Sequence, residues 1–227
     1  MSVVGTEREA TAYHEAGHGV IDVLTGQRFR YITLRPKDGN AGHVMSAQWS
    51  NPCRWLDETA TMFGGMIAED LYLNEGCSRA SDLVTSRRVL TEVASTDLKL
   101  VRWVTGSAWR YHHTDPTYRP ATPIAPGWTP LEMAKAGWER AVWLLAASVE
   151  AVGELATALL DSRRAITWVQ AREIVYGCEP MAVSAAESVQ HDMLRPWFLD
   201  HSRLKWAPPK LPSTNGSQAD LAAARKR

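Results

Sequence analysis

The chain has 227 residues and 25.2 kDa, with 45% hydrophobic and 22% charged residues and 25 Lys+Arg against 25 Asp+Glu. That composition supports a packed core and excludes bulk disorder. The length suits one ordinary domain with a small appendage, and the balanced charge supplies no field toward nucleic acid or an anionic membrane. Cys53, Cys77 and Cys178 are odd in number and widely spaced, so they read as free thiols of a reducing, cytoplasmic compartment. The N-terminus lacks the basic-then-apolar pattern of a secretion signal.

In chain order, Thr6 and Glu9 form a capping-box pattern that opens a first helix, and Tyr13, Gly17, Val20, Ile21 and Leu24 give it an apolar stripe ending at Gly26. Residues 29–34 and 42–49 read as a small hairpin around the turn-forming run 36–40. A second helix, 55–74, contains Gly64-Gly65, which admits another backbone closely. A third is predicted to start at Ser81 and run toward Trp103.

Pro116, Pro120, Pro123, Pro126 and Pro130 predict an accessible loop over 111–130. A long helix over 131–160 follows. Its stretch 141–160 is apolar enough to resemble a membrane span, but Glu150 and Glu154 would each cost about 2.5–3.5 kcal/mol in a bilayer. Trp138, Val142, Leu145, Val149, Val152 and Leu159 recur at helical spacing instead, so the reading is a core helix and no membrane insertion. A short helix covers 168–176, and 207–227 reads as a disordered tail. Trp103, Trp109, Trp138, Trp143 and Trp168 are expected between helices, and Trp197, Phe198 and Trp206 on a docking arm.

The chemistry lies in His14-Glu15-Ala16-Gly17-His18, an H-E-x-x-H sequence inside the first helix. Imidazoles at i and i+4 share one face and can both reach one Zn²⁺. Glu15, one step round the helix, can take a proton from the attacking water.

The surrounding sequence, Ala12-Tyr13-His14-Glu15-Ala16-Gly17-His18-Gly19-Val20, resembles the zinc-site helix of the FtsH-type peptidase domain, family M41. Gly64-Gly65-Met66-Ile67-Ala68-Glu69-Asp70 resembles that family's Gly-Gly-Arg-x-Ala-Glu-Glu helix. Cys77-Ser78-Arg79-Ala80-Ser81-Asp82-Leu83 resembles its Gly-Ala-x-Asn-Asp-Leu segment, and 136–141 and 155–160 resemble the halves of its late helix. The resemblance runs colinearly over about 6–176, with Met66 in place of the usual Arg and Ser81 in place of the usual Asn.

It implies a mainly α (α+β) zincin-like fold with a small hairpin. The domain division is 1–176 for the peptidase, 177–206 for a C-terminal extension and 207–227 for the tail. It also implies Zn²⁺ held by His14, His18 and Asp82, with Asp82 as a first-turn helix acid being the bland alternative. Glu69 is a rival ligand that is better read as orienting a ligand imidazole, with an ordinary surface helix charge as the alternative. Gly42, His43 and Val44 would lie on an edge strand that pairs with substrate backbone. His112 and His113 are weak evidence for a second metal, and Cys77 as an inhibitory thiolate is less favoured still.

The resulting expectation is a stand-alone zinc endopeptidase acting on unstructured polypeptide, independent of ATP because no G-x-x-x-x-G-K-[ST] is present. A homo-oligomer, and a separately encoded ATPase or adaptor, are compatible with it. The rivals are a catalytically silent zinc-binding interaction protein and a regulatory peptidase specific for one repressor-like partner.

Overall fold

A computed structural model describes residues 7–36, 41–47, 50–73, 95–162 and 164–180. Within them lie α1 (Glu7–Thr25), β1 (Phe29–Thr33), β2 (His43–Ser46), a 3₁₀ turn (Pro52–Arg54), α2 (Trp55–Leu73), α3 (Ser95–Thr114), α4 (Pro130–Ala146), α5 (Val149–Asp161), β3 (Ile166–Thr167) and α6 (Trp168–Gly177). The protein is mainly helical with one small antiparallel sheet, as the sequence predicts. Thr6, Cys77, Ser81, Asp82, the C-terminal arm and the tail lie outside the described residues.

Helix α1 carries Glu7 and Glu9 in its first turn, where the positive end of the helix dipole favours them. It stops at Gly26, whose φ of 71° is the left-handed conformation that glycine adopts without strain. Helices α4 and α6 each open on a complete capping box, Thr129 with Glu132 and Thr167 with Gln170.

Helix α1 packs most extensively on α2, which also carries α4 and α3, while α5 covers another side of α1. The α1–α2 crossing is made by glycine. A Cβ on Gly17 would collide with the Gly64 carbonyl oxygen, and one on Gly64 would stand 2.8 Å from the Gly17 oxygen. Around this crossing Ala12, Ala16, Val20, Ile21, Phe63, Ile67 and Leu155 form the main core.

The sheet has strand order β2-β1-β3. Ile32 pairs with Val44 on one side and Ile166 on the other, with an irregularity between Phe29 and Tyr31. Ile32 is fully buried, and a Cβ on Gly19 would collide with it, so Gly19 is what lets the sheet lie directly on α1.

Three expectations are corrected. The long helix over 131–160 is two helices, α4 and α5, bent by 82° at Ala147-Ser148. Neither of these, nor any other single helix among the described residues, is long and apolar enough to cross a membrane. The proline-rich loop is shorter than 111–130, covering 115–129, and although Pro116, Thr117, Arg119, Pro123 and Pro126 are exposed, it has more partners than expected. Helix α3 runs to Thr114, and the remainder is held by Tyr118 Oη donating to Pro52 O at 2.7 Å, Trp55 Nε1 to Thr122 O at 2.8 Å and Ala121 N to Cys53 O at 2.7 Å. Ile124 joins a second core of Trp55, Val104, Ala108 and Met133. Finally, Trp138 is buried as expected, but Trp103 and Trp143 are 51% and 58% exposed and fill no interhelical space.

Candidate metal centre

A cleft of about 750 Å³ runs past the middle of α1, bounded by α2, the start of α3 and β2. His14, Glu15 and His18 are all buried in its floor. The amphipathic pattern of α1 puts them on a polar stripe facing the cleft, while Ala12, Ala16, Val20 and Ile21 enter the core.

Both imidazoles are fixed from behind. His14 Nδ1 donates to Glu69 Oε2 at 2.9 Å, and His18 Nδ1 donates to the Thr61 carbonyl oxygen at 2.7 Å. A carbonyl can only accept, so His18 Nδ1 carries a proton and Nε2 is the atom turned inward; the Glu69 carboxylate holds a proton on His14 Nδ1 in the same way. The two Nε2 atoms then stand 3.1 Å apart.

Asp97, in the first turn of α3, completes the group. Its Oδ2 is 3.2 Å from His14 Nε2 and 3.6 Å from His18 Nε2. Donor atoms bound tetrahedrally at the usual zinc distances stand about 3.3–3.6 Å apart, so this triangle has the size of a zinc site.

Charge agrees with geometry. Burial opposes a proton on His14, but the hydrogen bonds from Asp97 and Glu69 outweigh it and hold its pKa up to about 10. Burial likewise opposes charge on His18, and the Asp97 carboxylate again raises its pKa. For Asp97 burial is outweighed by His18 and His14, and its pKa is lowered. Without a metal, protons on the inward Nε2 atoms meet the Asp97 carboxylate; a cation that displaces them would find two imidazole lone pairs and a carboxylate oxygen converging on one point that favours positive charge. The donor set fits zinc.

Gly65 makes room for this arrangement, since a Cβ there would collide with His18 Nε2 and stand 2.7 Å from His14 Nε2. Gly42 does the same for Glu15, whose Cγ and Oε1 would lie 2.9 and 3.1 Å from an added Cβ. Burial raises the Glu15 pKa against the lowering effect of both imidazoles.

His14, Glu15 and His18 meet, and Glu69 stands behind His14. Gly42, just before β2, and His43 and Val44 on that edge strand line the cleft. His43 and Tyr31 pack edge to face with ring centroids 5.8 Å apart, and neither ring nitrogen of His43 has a hydrogen-bond partner among the described residues. His112 and His113 are exposed at the end of α3 and do not line the cleft.

Asp82 lies outside the described residues, and the carboxylate that meets the imidazoles is Asp97, which sequence reasoning missed. A signal was available, because Ala94-Ser95-Thr96-Asp97-Leu98 echoes Ala80-Ser81-Asp82-Leu83. Either acid could open an amphipathic helix.

No protein-family model matches the chain. Curated relatives do. The ATP-dependent zinc metalloprotease FtsH of Cupriavidus metallidurans is 33% identical over 34% of this chain and 13% of its own length. FtsH 2 of Methylacidiphilum infernorum is 28% identical over 68% of this chain and 27% of its own, and FtsH 3 of Phytoplasma mali is 33% identical over 40% and 17%. The chain thus spans about a quarter or less of the length of these relatives, and within it lies a region related to the FtsH zinc metalloproteases.

Proposed function

We propose that this chain is a zinc-dependent endopeptidase that cleaves unstructured polypeptide. The observation that carries the reading is the meeting of His14 Nε2, His18 Nε2 and Asp97 Oδ2 within 3.1–3.6 Å beside Glu15. In this reading His14, His18 and Asp97 hold Zn²⁺. When bound, the ion supplies Lewis acidity, which makes water a nucleophile at neutral pH and polarises a peptide carbonyl.

Glu15 does the proton work. Its carboxylate accepts a proton from the attacking water and returns it to the leaving amine nitrogen, and burial, by raising its pKa, makes it a better proton acceptor than an exposed carboxylate. Glu69 and Thr61 hold the imidazoles so that both Nε2 atoms stay turned inward. Strand β2 offers extended substrate an edge to pair with, which binds backbone and asks little of side chains. No nucleotide-binding G-x-x-x-x-G-K-[ST] occurs in the 227 residues, so hydrolysis by this chain proceeds without ATP.

The test is zinc content together with cleavage of a fluorescently labelled unfolded protein. Glu15→Gln keeps its zinc and loses about 10²–10⁴-fold in rate, the span of a removed general base. Equal cleavage by wild type and Glu15→Gln would overturn the assignment.

A further inference from the structure

Thr61 is used from both ends. Its carbonyl oxygen accepts from His18 Nδ1 at 2.7 Å, and its hydroxyl donates to Asp22 Oδ1 at 2.8 Å while accepting from Gln27 Nε2 at 3.0 Å. His18 and Asp22 are one turn apart on α1, so both face the same residue of α2.

This hydroxyl behaves unlike others in the helices. Thr11, Thr25, Thr105 and Thr114 each turn back to the carbonyl four residues earlier, at 2.8 to 2.9 Å. Thr61 has Asp22 as its acceptor instead. A back-bonded threonine bends its helix locally, and at Thr61 that bend would move the carbonyl that holds His18.

Asp22 is an expensive residue for the fold. It is buried, accepts this one hydrogen bond, and forms no ion pair among the described residues, since Arg54 is engaged with Asp57 and the Thr25 carbonyl. Burial, against the lowering effect of the Thr61 hydroxyl, pushes its carboxyl up to about 7. An apolar side chain of similar size would serve packing as well or better.

We infer that Asp22 is a positioning residue of the metal centre: by holding the Thr61 hydroxyl it keeps the Thr61 carbonyl, and through it the His18 ring, in the metal-binding orientation. This rests on the reading of His14, His18 and Asp97 as zinc ligands.

The experiment measures zinc affinity by competition with a chromogenic chelator, and thermal unfolding of the metal-free protein, for the full chain and three variants. Asp22→Leu loses about 10-fold or more in zinc affinity, the lower bound for loss of a partner behind a ligand, while its metal-free form melts no lower than wild type. Asp22→Asn keeps an acceptor for Thr61 and binds zinc within about threefold of wild type, because its amide oxygen replaces the carboxylate one. Thr61→Val, which removes the hydroxyl and keeps the carbonyl, weakens zinc as Asp22→Leu does.

Unchanged affinity in Asp22→Leu, or equal loss in Asp22→Asn and Asp22→Leu, would overturn the inference. Should Asp22→Leu fail to fold, Thr61→Val decides alone: unchanged zinc affinity overturns the inference and a loss of about 10-fold supports it. Wild-type protein without zinc affinity would instead overturn the metal reading itself.

Discussion

The cleft and the proline-rich connection between α3 and α4 are both rich in polar contacts at least partly sheltered from solvent, and the contacts differ in kind. In the cleft, titratable side chains face one another: His14 with Glu69 and Asp97, and His18 with Asp97. In the connection, neutral donors are matched to backbone carbonyls: Tyr118 to Pro52, Trp55 to Thr122 and Trp109 to Trp128. The second kind satisfies a loop that has few backbone partners of its own. The first leaves charge concentrated where the fold does not need it, and that is the mark of a site.

Substitutions in the two regions should accordingly move different quantities. The largest effect is expected from Gly65→Ala, which places a methyl group against both Nε2 atoms. It should abolish zinc binding although alanine favours the helix by about 1 kcal/mol; zinc titration and circular dichroism would check both halves. Glu69→Ala should come next, with zinc affinity reduced about 10–100-fold and the fold intact, as read by chelator competition.

Asp22→Asn tests the cost of charge in the cleft through pH. The carboxyl is raised from 3.8 to about 7 in the folded state, so between those values the folded chain binds more protons than the unfolded one. Wild-type stability therefore falls as pH rises through that window. The variant should gain little over wild type at pH 4 and progressively more toward neutrality in denaturant titrations. In the connection, Tyr118→Phe removes the hydrogen bond to Pro52 and should cost about 1 kcal/mol of stability. Its zinc affinity should be unchanged, and a change there would break the separation between the two regions.

The same contrast explains what could be read from the sequence. The motif on α1 is local, because one helix and a spacing of four residues bring His14 and His18 together wherever that helix packs. Gly64-Gly65 was legible for a related reason, since a glycine pair inside an apolar helix has few uses other than close approach. Asp97 was not, because Ser81-Asp82 and Ser95-Thr96-Asp97 read alike as acidic helix starts, and a contact with the imidazoles depends on tertiary packing.

The break at Ala147-Ser148 carries neither proline nor glycine, so periodicity runs through it unmarked. Proline spacing announces irregular backbone over 111–130, of which 115–129 is irregular. It says nothing of the aromatic donors that pack the stretch down. Trp103 and Trp143 share the helical spacing of buried residues, and spacing alone does not tell a stripe with a partner from one without.

The central claim is that Asp97 completes a zinc site with His14 and His18. Zinc content of wild type, Asp97→Ala and Asp82→Ala, measured on folded protein at one pH, tests it most directly. About one zinc per chain is expected in wild type and Asp82→Ala, as for a three-ligand site with one open position, and none in Asp97→Ala. Zinc retained by Asp97→Ala and lost from Asp82→Ala would contradict it.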